Sequence, residues 1–269
     1  MFLTIDGFES YCYTGGKSFD ATLPVMVFIH GAQNDHSVWI LQTRYFAHHG
    51  FAVLAVDLPG HGRSKGEPLH SVQAMAEWIL RLLDAAGVQQ ASLVGHSMGS
   101  LIALEVAATA PARVARLALL GAASPMKVSD LLLNVTLNDE QSAIDMVNSW
   151  SHSSIAQKPS FPGPGFYARG GARRLMQHIT RKGGKNMYHV NFSACNAYAN
   201  AEAAAKSLQC PVLFLIGQRD LMTPPRAVAT LIKLIPQARS VLLAQCGHAM
   251  MEEQPDAVLD NLYSFMTGQ

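Results

Sequence analysis

Charge is scarce in this sequence. Asp, Glu, Lys and Arg make up 14% of its 269 residues, and 49% are hydrophobic. Globular proteins usually carry about 25% charged residues. The shortage excludes a disordered chain, which needs the opposite balance. It raises the question of a membrane span, and the longest uncharged stretch answers it. Ala85 to Leu104 contains Gln89, Gln90, Ser92, His96 and Ser97, too polar for a span of about 20 apolar residues. The N-terminal segment lacks a basic region followed by an apolar one, so no signal peptide and a cytoplasmic chain are expected. The 4 cysteines form neither a C-x-x-C pair nor a zinc spacing, which suits reduced thiols. A net charge of +1 gives no electrostatic reason to expect nucleic acid as a partner.

What is present is a rhythm of strands and helices. Phe2 to Ile5 and Phe8 to Tyr13 flank Asp6-Gly7, a favoured two-residue hairpin turn. Val25 to Ile29 is apolar and β-branched without alternation, as strands buried on both faces are. Phe51 to Val56, Ala91 to Val94, Ala115 to Leu120, Val212 to Ile216 and Arg239 to Leu243 follow as further strand runs. Helical patterns separate them: Val38 to His49, Ser71 to Ala86, Met98 to Ala110, Pro225 to Ile235 and Pro255 to Met266. This alternation predicts an α/β fold with a doubly wound, mostly parallel sheet. Between Leu120 and Val212 no strand pattern occurs. Ser124 to Lys206 reads as helices plus a Pro/Gly loop at Lys158 to Gly171. A structureless loop of that length would be unusual, so a small helical cap insertion is expected over the sheet. The resulting division is 1–122 and 207–269 for the core and 123–206 for the cap.

One motif carries chemistry. Gly95-His96-Ser97-Met98-Gly99 follows a strand and opens a helix, the context that a G-x-S-x-G nucleophile elbow requires. Such a turn strains the serine backbone and presents its hydroxyl at the sheet edge. The helix N-terminus aims free N–H groups at the same spot. A serine needs a base, and the base needs an acid behind it. His248 follows the last strand and Asp220 follows Val212 to Ile216. All three stand on loops after strands, where open α/β sheets bind ligands. Their chain order is Ser97, Asp220, His248.

These pieces resemble the α/β-hydrolase family. The resemblance rests on His30-Gly31-Ala32, Asp57-Leu58-Pro59-Gly60-His61-Gly62-Arg63-Ser64, the Ser97 elbow, Gly217-Gln218-Arg219-Asp220 and Gly247-His248. It covers about 1–122 and 207–269 and is absent from the insertion. It implies a serine hydrolase in which the Ala32 and Met98 N–H groups bind the oxyanion. It also implies a small-molecule substrate, a carboxylic ester by default. Relatives that carry Asp at the elbow are set aside by Ser97, and Gly121-Ala122-Ala123 leaves no rival acid after the preceding strand. Carbon–carbon bond hydrolases, perhydrolases of the haloperoxidase type and acyltransferases use the same triad and remain alternatives. A non-enzymatic ligand receptor on this scaffold is the reading from another class.

The remaining signals have plainer readings beside sharper ones. Asp57 is read as a loop-shaping residue and His30 as a partner of local backbone. His96 either lines the pocket or orients the elbow. Met222 and Met250 stand near the triad as pocket candidates, with gap-filling in the core as the alternative for Met250 and Met251. Trp39 and Phe46 are expected to pack. Gly16-Lys17-Ser18 fails as a phosphate loop because Tyr11 stands where glycine is needed. No H-E-x-x-H occurs, and no cofactor or metal is expected. From Met146 to Ala201 there is no acidic residue, while Lys158, Arg169, Arg173, Arg174, Arg181, Lys182 and Lys185 are basic. Either this is a solvated face, or Arg173 and Arg174 turn inward to hold a substrate carboxylate. Monomer and homodimer both remain open.

Overall fold

The computed structural model describes residues 1–153, 165–183 and 186–269. Eight strands form one sheet: β1 (Phe2–Ile5), β2 (Phe8–Tyr13), β3 (Val25–Ile29), β4 (Ala52–Val56), β5 (Ala91–His96), β6 (Val114–Leu120), β7 (Val212–Gly217) and β8 (Arg239–Leu243). Their order is β1-β2-β4-β3-β5-β6-β7-β8. The hairpin pairs antiparallel to itself and to β4, and every other pair is parallel. All eight strands coincide with runs expected from the sequence, to within two residues at their ends.

Period-two alternation splits each central strand between two cores. Val25, Val27 and Ile29 face one way, with Leu54, Leu117 and Phe214. Met26 and Phe28 face the other, with Ala55, Leu120 and Leu215. Helices α1 (Ile40–His48), α2 (Val72–Ala85) and α3 (Met98–Thr109) follow β3, β4 and β5 in turn. Helices α2 and α3 cover the first face, while α1 lies on the second with Trp39 and Phe46 fully buried. Ser71 caps α2 by accepting the Ala74 N–H at 3.1 Å. The expected helix from Val38 begins instead as a 3-10 turn, His36–Trp39. Asp35 causes it, since its carboxylate accepts the Ser37 N–H and fixes the tighter entry.

Between β6 and β7 lie α4 (Asp130–Asn138), α5 (Glu140–Ser151), α6 (Gly165–Lys182), α7 (Met187–Ala197) and α8 (Ala201–Ser207). Leu132, Ile144, Val147, Met176, Tyr188 and Phe192 give this insertion its own apolar cluster, and Ala32 and Met222 of the sheet loops pack against it. The expected Pro/Gly loop ran to Gly171, but α6 already begins at Gly165. Gly170 and Gly171 are therefore helical. Each glycine costs a helix about 1 kcal/mol, and burial of Met176 and Ile179 on the same helix outweighs that. Lys158 and the start of that loop lie outside the described residues, as does Lys185. After the insertion come α9 (Pro225–Leu234), α10 (Met250–Glu253) and α11 (Pro255–Thr267). Helix α9 joins the first face, and α10 and α11 join the second. Among the described residues no helix is long and apolar enough to cross a membrane.

Candidate active site

Ser97 sits between β5 and α3 with φ 54° and ψ −119°. Few non-glycine residues adopt such a backbone. Its surroundings enforce it: the Ser97 N–H donates to Leu120 O at 2.9 Å, and Ser97 O accepts the Ser100 N–H at 2.8 Å and the Ser100 hydroxyl at 2.6 Å. Gly95 and Gly99 make the turn possible. A Cβ on Gly95 would strike the Gly99 carbonyl, and one on Gly99 would strike the Ile29 carbonyl. The elbow is thereby pressed against the end of β3.

That strand end supplies the next loop. His30 is buried and pairs through Nδ1 with Gly31 O at 2.8 Å, while its Nε2 accepts the Leu58 N–H at 3.2 Å. Burial, with His61 nearby, pushes the His30 pKa down to about 3, so the ring is a neutral brace. Gly31 lies so close to the elbow that a Cβ there would be 3.2 Å from Ser97 Cβ. Ala32 follows, and its N–H has no hydrogen-bond partner among the described residues. Met98 is the first residue of α3, so its N–H has no intrahelical acceptor. Asp57 is committed to loop architecture. Its carboxylate accepts the His36 N–H and Nδ1–H, each at 2.8 Å, and the Arg63 N–H at 2.8 Å. Asp35, His36 and Asp57 bring ligand atoms within 4.8 Å of one another, but these hydrogen bonds already occupy the Asp57 oxygens.

His248 and Asp220 meet after β8 and β7. His248 Nδ1 lies 2.7 Å from Asp220 Oδ2. Thr223 donates its hydroxyl to the same oxygen at 2.7 Å and stands 3.1 Å from His248 Nδ1. Asp220 Oδ1 accepts the Met222 and Thr223 N–H groups at 2.8 Å each. With every contact donating to it, the Asp220 carboxylate assigns the ring proton to Nδ1 and leaves Nε2 as a base. Burial opposes ionisation of Asp220, but the His248 charge and the bonds from His248 and Thr223 outweigh it and hold the pKa below the ordinary range. Ser97 and His248 line one cavity without a hydrogen bond between them among the described residues. Such contacts are often long in empty sites and tighten around substrate.

The space at Ser97 has two lobes, of about 60 Å³ and 210 Å³. Ala32, Ser97, Phe192 and Met222 border both. His96 lines the smaller lobe, and its Nε2 donates to His248 O at 2.9 Å. Burial, then the neighbouring His248 charge, lowers its pKa to about 3. His96 thus both borders the pocket and steadies the His248 loop. Met250 does not reach the cavity. It is fully buried in the core under α11, and Met251 lines the smaller lobe instead. Successive helix residues point about 100° apart, so one position decides between core and cavity.

The two arginines are also elsewhere. Arg173 Nε is bound to Asp145 Oδ1 at 2.6 Å, and Arg173, Arg174 and Arg181 line a separate depression on the insertion. Neither Arg173 nor Arg174 borders either lobe. The inward-facing carboxylate clamp is replaced by an exposed basic face whose arginine pairs within the insertion.

Sequence reasoning passed over Thr223 and Glu253. Thr223 was findable, because Asp-x-x-Thr is a side-chain-capped turn pattern. Glu253 is buried and accepts the Gly247 and Ser153 N–H groups at 3.1 Å each, tying the His248 loop to the end of α5. Burial raises its pKa despite those bonds.

The family model of the alpha/beta hydrolase fold matches residues 24–255. The chain is 26% identical over 253 residues to the sn-1-specific diacylglycerol lipase ABHD11 of Mus musculus, covering 92% of this chain and 82% of that one. It is also 26% identical over 258 residues to a non-heme chloroperoxidase of Streptomyces lividans, covering 91% of each. The solved enol-lactonase from Burkholderia xenovorans LB400 superposes with a TM-score of 0.85 at 23% identity, over 99% of this chain and 100% of that one. At that identity the likeness is one of fold.

Proposed function

Because this chain belongs to the alpha/beta hydrolase fold family, we propose that it is a serine hydrolase cleaving carboxylic esters of small molecules. The observation that carries this reading is Asp220 paired to His248 at 2.7 Å, with His248 lining one cavity beside a strained Ser97. Ser97 attacks the ester carbonyl as His248 Nε2 takes its proton. Asp220 holds the ring and stabilises the imidazolium, with Thr223 orienting the carboxylate. The free N–H groups of Ala32 and Met98 bind the oxyanion, at about 3 kcal/mol for each donor. His248 returns the proton to the leaving alcohol. It then activates water, which releases the acid from Ser97. Residues 123–206 act as a cap over a core of 1–122 and 207–269.

The carbon–carbon hydrolase alternative drew on a basic cap facing Ser97. Arg173 and Arg174 lie away from both lobes, which removes the support those two arginines gave; of the described basic residues of 123–206, Lys127 borders the larger lobe. The test is turnover of p-nitrophenyl acetate and butyrate. Ser97→Ala and His248→Ala should each lower kcat by at least about 1,000-fold, with Asp220→Asn comparable through the wrong tautomer. Undiminished turnover by Ser97→Ala would defeat the reading.

A further inference from the structure

Charge separates the two lobes beside Ser97. The smaller is bordered by Glu252, and His152, 3.5 Å from it, can at most cancel that charge. The larger is bordered by Lys127 and Ser129 and, among the described residues, by no acid. Lys127 is exposed and has no ion-pair or hydrogen-bond partner among the described residues. Its backbone segment is nonetheless held in place. The Val128 N–H donates to Asn196 Oδ1 of α7 at 3.1 Å, and Ser129 caps α4 by accepting the Leu132 N–H at 3.2 Å. The segment is therefore fixed at the lobe while the ammonium rides free on a four-carbon stem. The Ser129 hydroxyl accepts in that cap and keeps its own proton to donate.

The lining limits what the larger lobe can recognise. Met126, Leu132 and Cys195 are buried, whereas Lys127, Ser129 and Leu221 are exposed. The lobe thus passes from an apolar interior to a mouth in solvent where the lysine stands. An anion lodged deep in it would lose its water among Met222 and Phe192 without a cation. A short neutral arm would make no use of the ammonium. A hydrocarbon arm ending in a carboxylate sets each part against its complement. Its stem packs on Met126, Leu132 and Trp150, and its charge reaches Lys127 at the mouth. The smaller lobe disfavours the same arm, because the carboxylate would face Glu252.

We infer that the larger lobe is a subsite for an aliphatic arm tipped by a carboxylate, with Lys127 as its specificity-determining residue and Ser129 as a second donor. The substrate is then an ester with two unlike arms: the anion-tipped one in the larger lobe and a compact neutral one in the smaller. This rests on the serine-hydrolase reading above and names its substrate class.

Paired esters differing only in that terminal charge test it. On the acyl side, the mono-p-nitrophenyl esters of adipic and suberic acid are each compared with the corresponding terminal carboxamide, which has nearly the same shape. The butyrate esters of 6-hydroxyhexanoate and 6-hydroxyhexanamide repeat the comparison on the alcohol side. Each rate is divided by the uncatalysed rate of the same ester. At low ionic strength the wild type should favour the carboxylate by about fivefold in kcat/KM in at least one pair, chiefly through KM, and added salt should erase the preference. Lys127→Met, which keeps the stem, should bring the ratio to within about twofold of unity. Lys127→Glu should reverse it, and Lys127→Arg should retain it. Lys206→Met makes the same charge change on α8, outside both lobes, and should keep the wild-type ratio. Turnover of p-nitrophenyl acetate by a wild type that prefers the carboxylate in no pair overturns the subsite alone. So does a preference that survives Lys127→Glu, or one lost equally in Lys206→Met. Failure of the wild type to turn over p-nitrophenyl acetate and every one of these esters overturns the esterase reading and this subsite with it.

Discussion

Ser97 holds a backbone conformation that costs energy wherever a side chain is present. At φ 54° and ψ −119°, about 1–3 kcal/mol of strain is expected, and three hydrogen bonds to Leu120 and Ser100 maintain it. Glycine has no Cβ to clash there. Ser97→Gly should therefore raise the urea unfolding free energy by about 1 kcal/mol, whereas Ser97→Ala, with its Cβ intact, should leave it near the wild-type value. A glycine variant no more stable than the alanine one would mean that the elbow is unstrained. The site itself was unevenly legible at this scale. Ser97, Asp220 and His248 announce themselves through local patterns at strand ends. Glu253 does not, since a glutamate in a short helix carries no mark of the loop N–H groups it will accept from. Met250 and Met251 are adjacent and chemically alike, so only the register of α10 separates core from cavity.

Among the elements, the loop after β3 is the best braced. Gln33 is buried and donates through Nε2 to Thr180 Oγ1 at 2.6 Å and to Met176 O at 3.2 Å, both on α6. Its backbone N–H donates to Asn191 Oδ1 of α7 at 3.0 Å, and His61 Nε2 stands 2.9 Å from the same oxygen. The insertion therefore fixes the residue next to Ala32. Asn191→Leu would leave the buried Gln33 N–H unpaired and should cost about 1–3 kcal/mol of stability. It should also lower kcat for p-nitrophenyl acetate more than it raises KM, because Ala32 would lose its alignment. A variant with unchanged melting and unchanged kcat would show that the insertion does not brace this loop. The sequence revealed that helices occupy this region, but not that they hold the loop after β3. Contacts such as Gln33 to Thr180 span 147 residues, and no local periodicity reports them.

On the scale of the molecule, the scarcity of charge follows from the architecture. A parallel sheet covered on both faces turns β3, β4 and most of β6 and β7 into uninterrupted apolar runs, which is why the strands were legible end to end. The near-neutral total conceals a division. Residues 123–206 carry nine basic and five acidic groups, or +4, and the rest carry eleven and fourteen, or −3. Composition located that excess but not its direction, and Arg173 and Arg174 turned out to line an outer depression. What the topology does bring together is the C-terminal ends of β5, β7 and β8, neighbours of one another or of β6, so that Ser97, Asp220 and His248 converge from 152 residues of sequence. The most direct measurement of that convergence is labelling of the wild-type protein with a fluorophosphonate, followed by mass mapping of the modified peptide. The account predicts one adduct per chain, on Ser97, slowed by His248→Ala and absent in Ser97→Ala. No adduct, or an adduct on another residue, would contradict it.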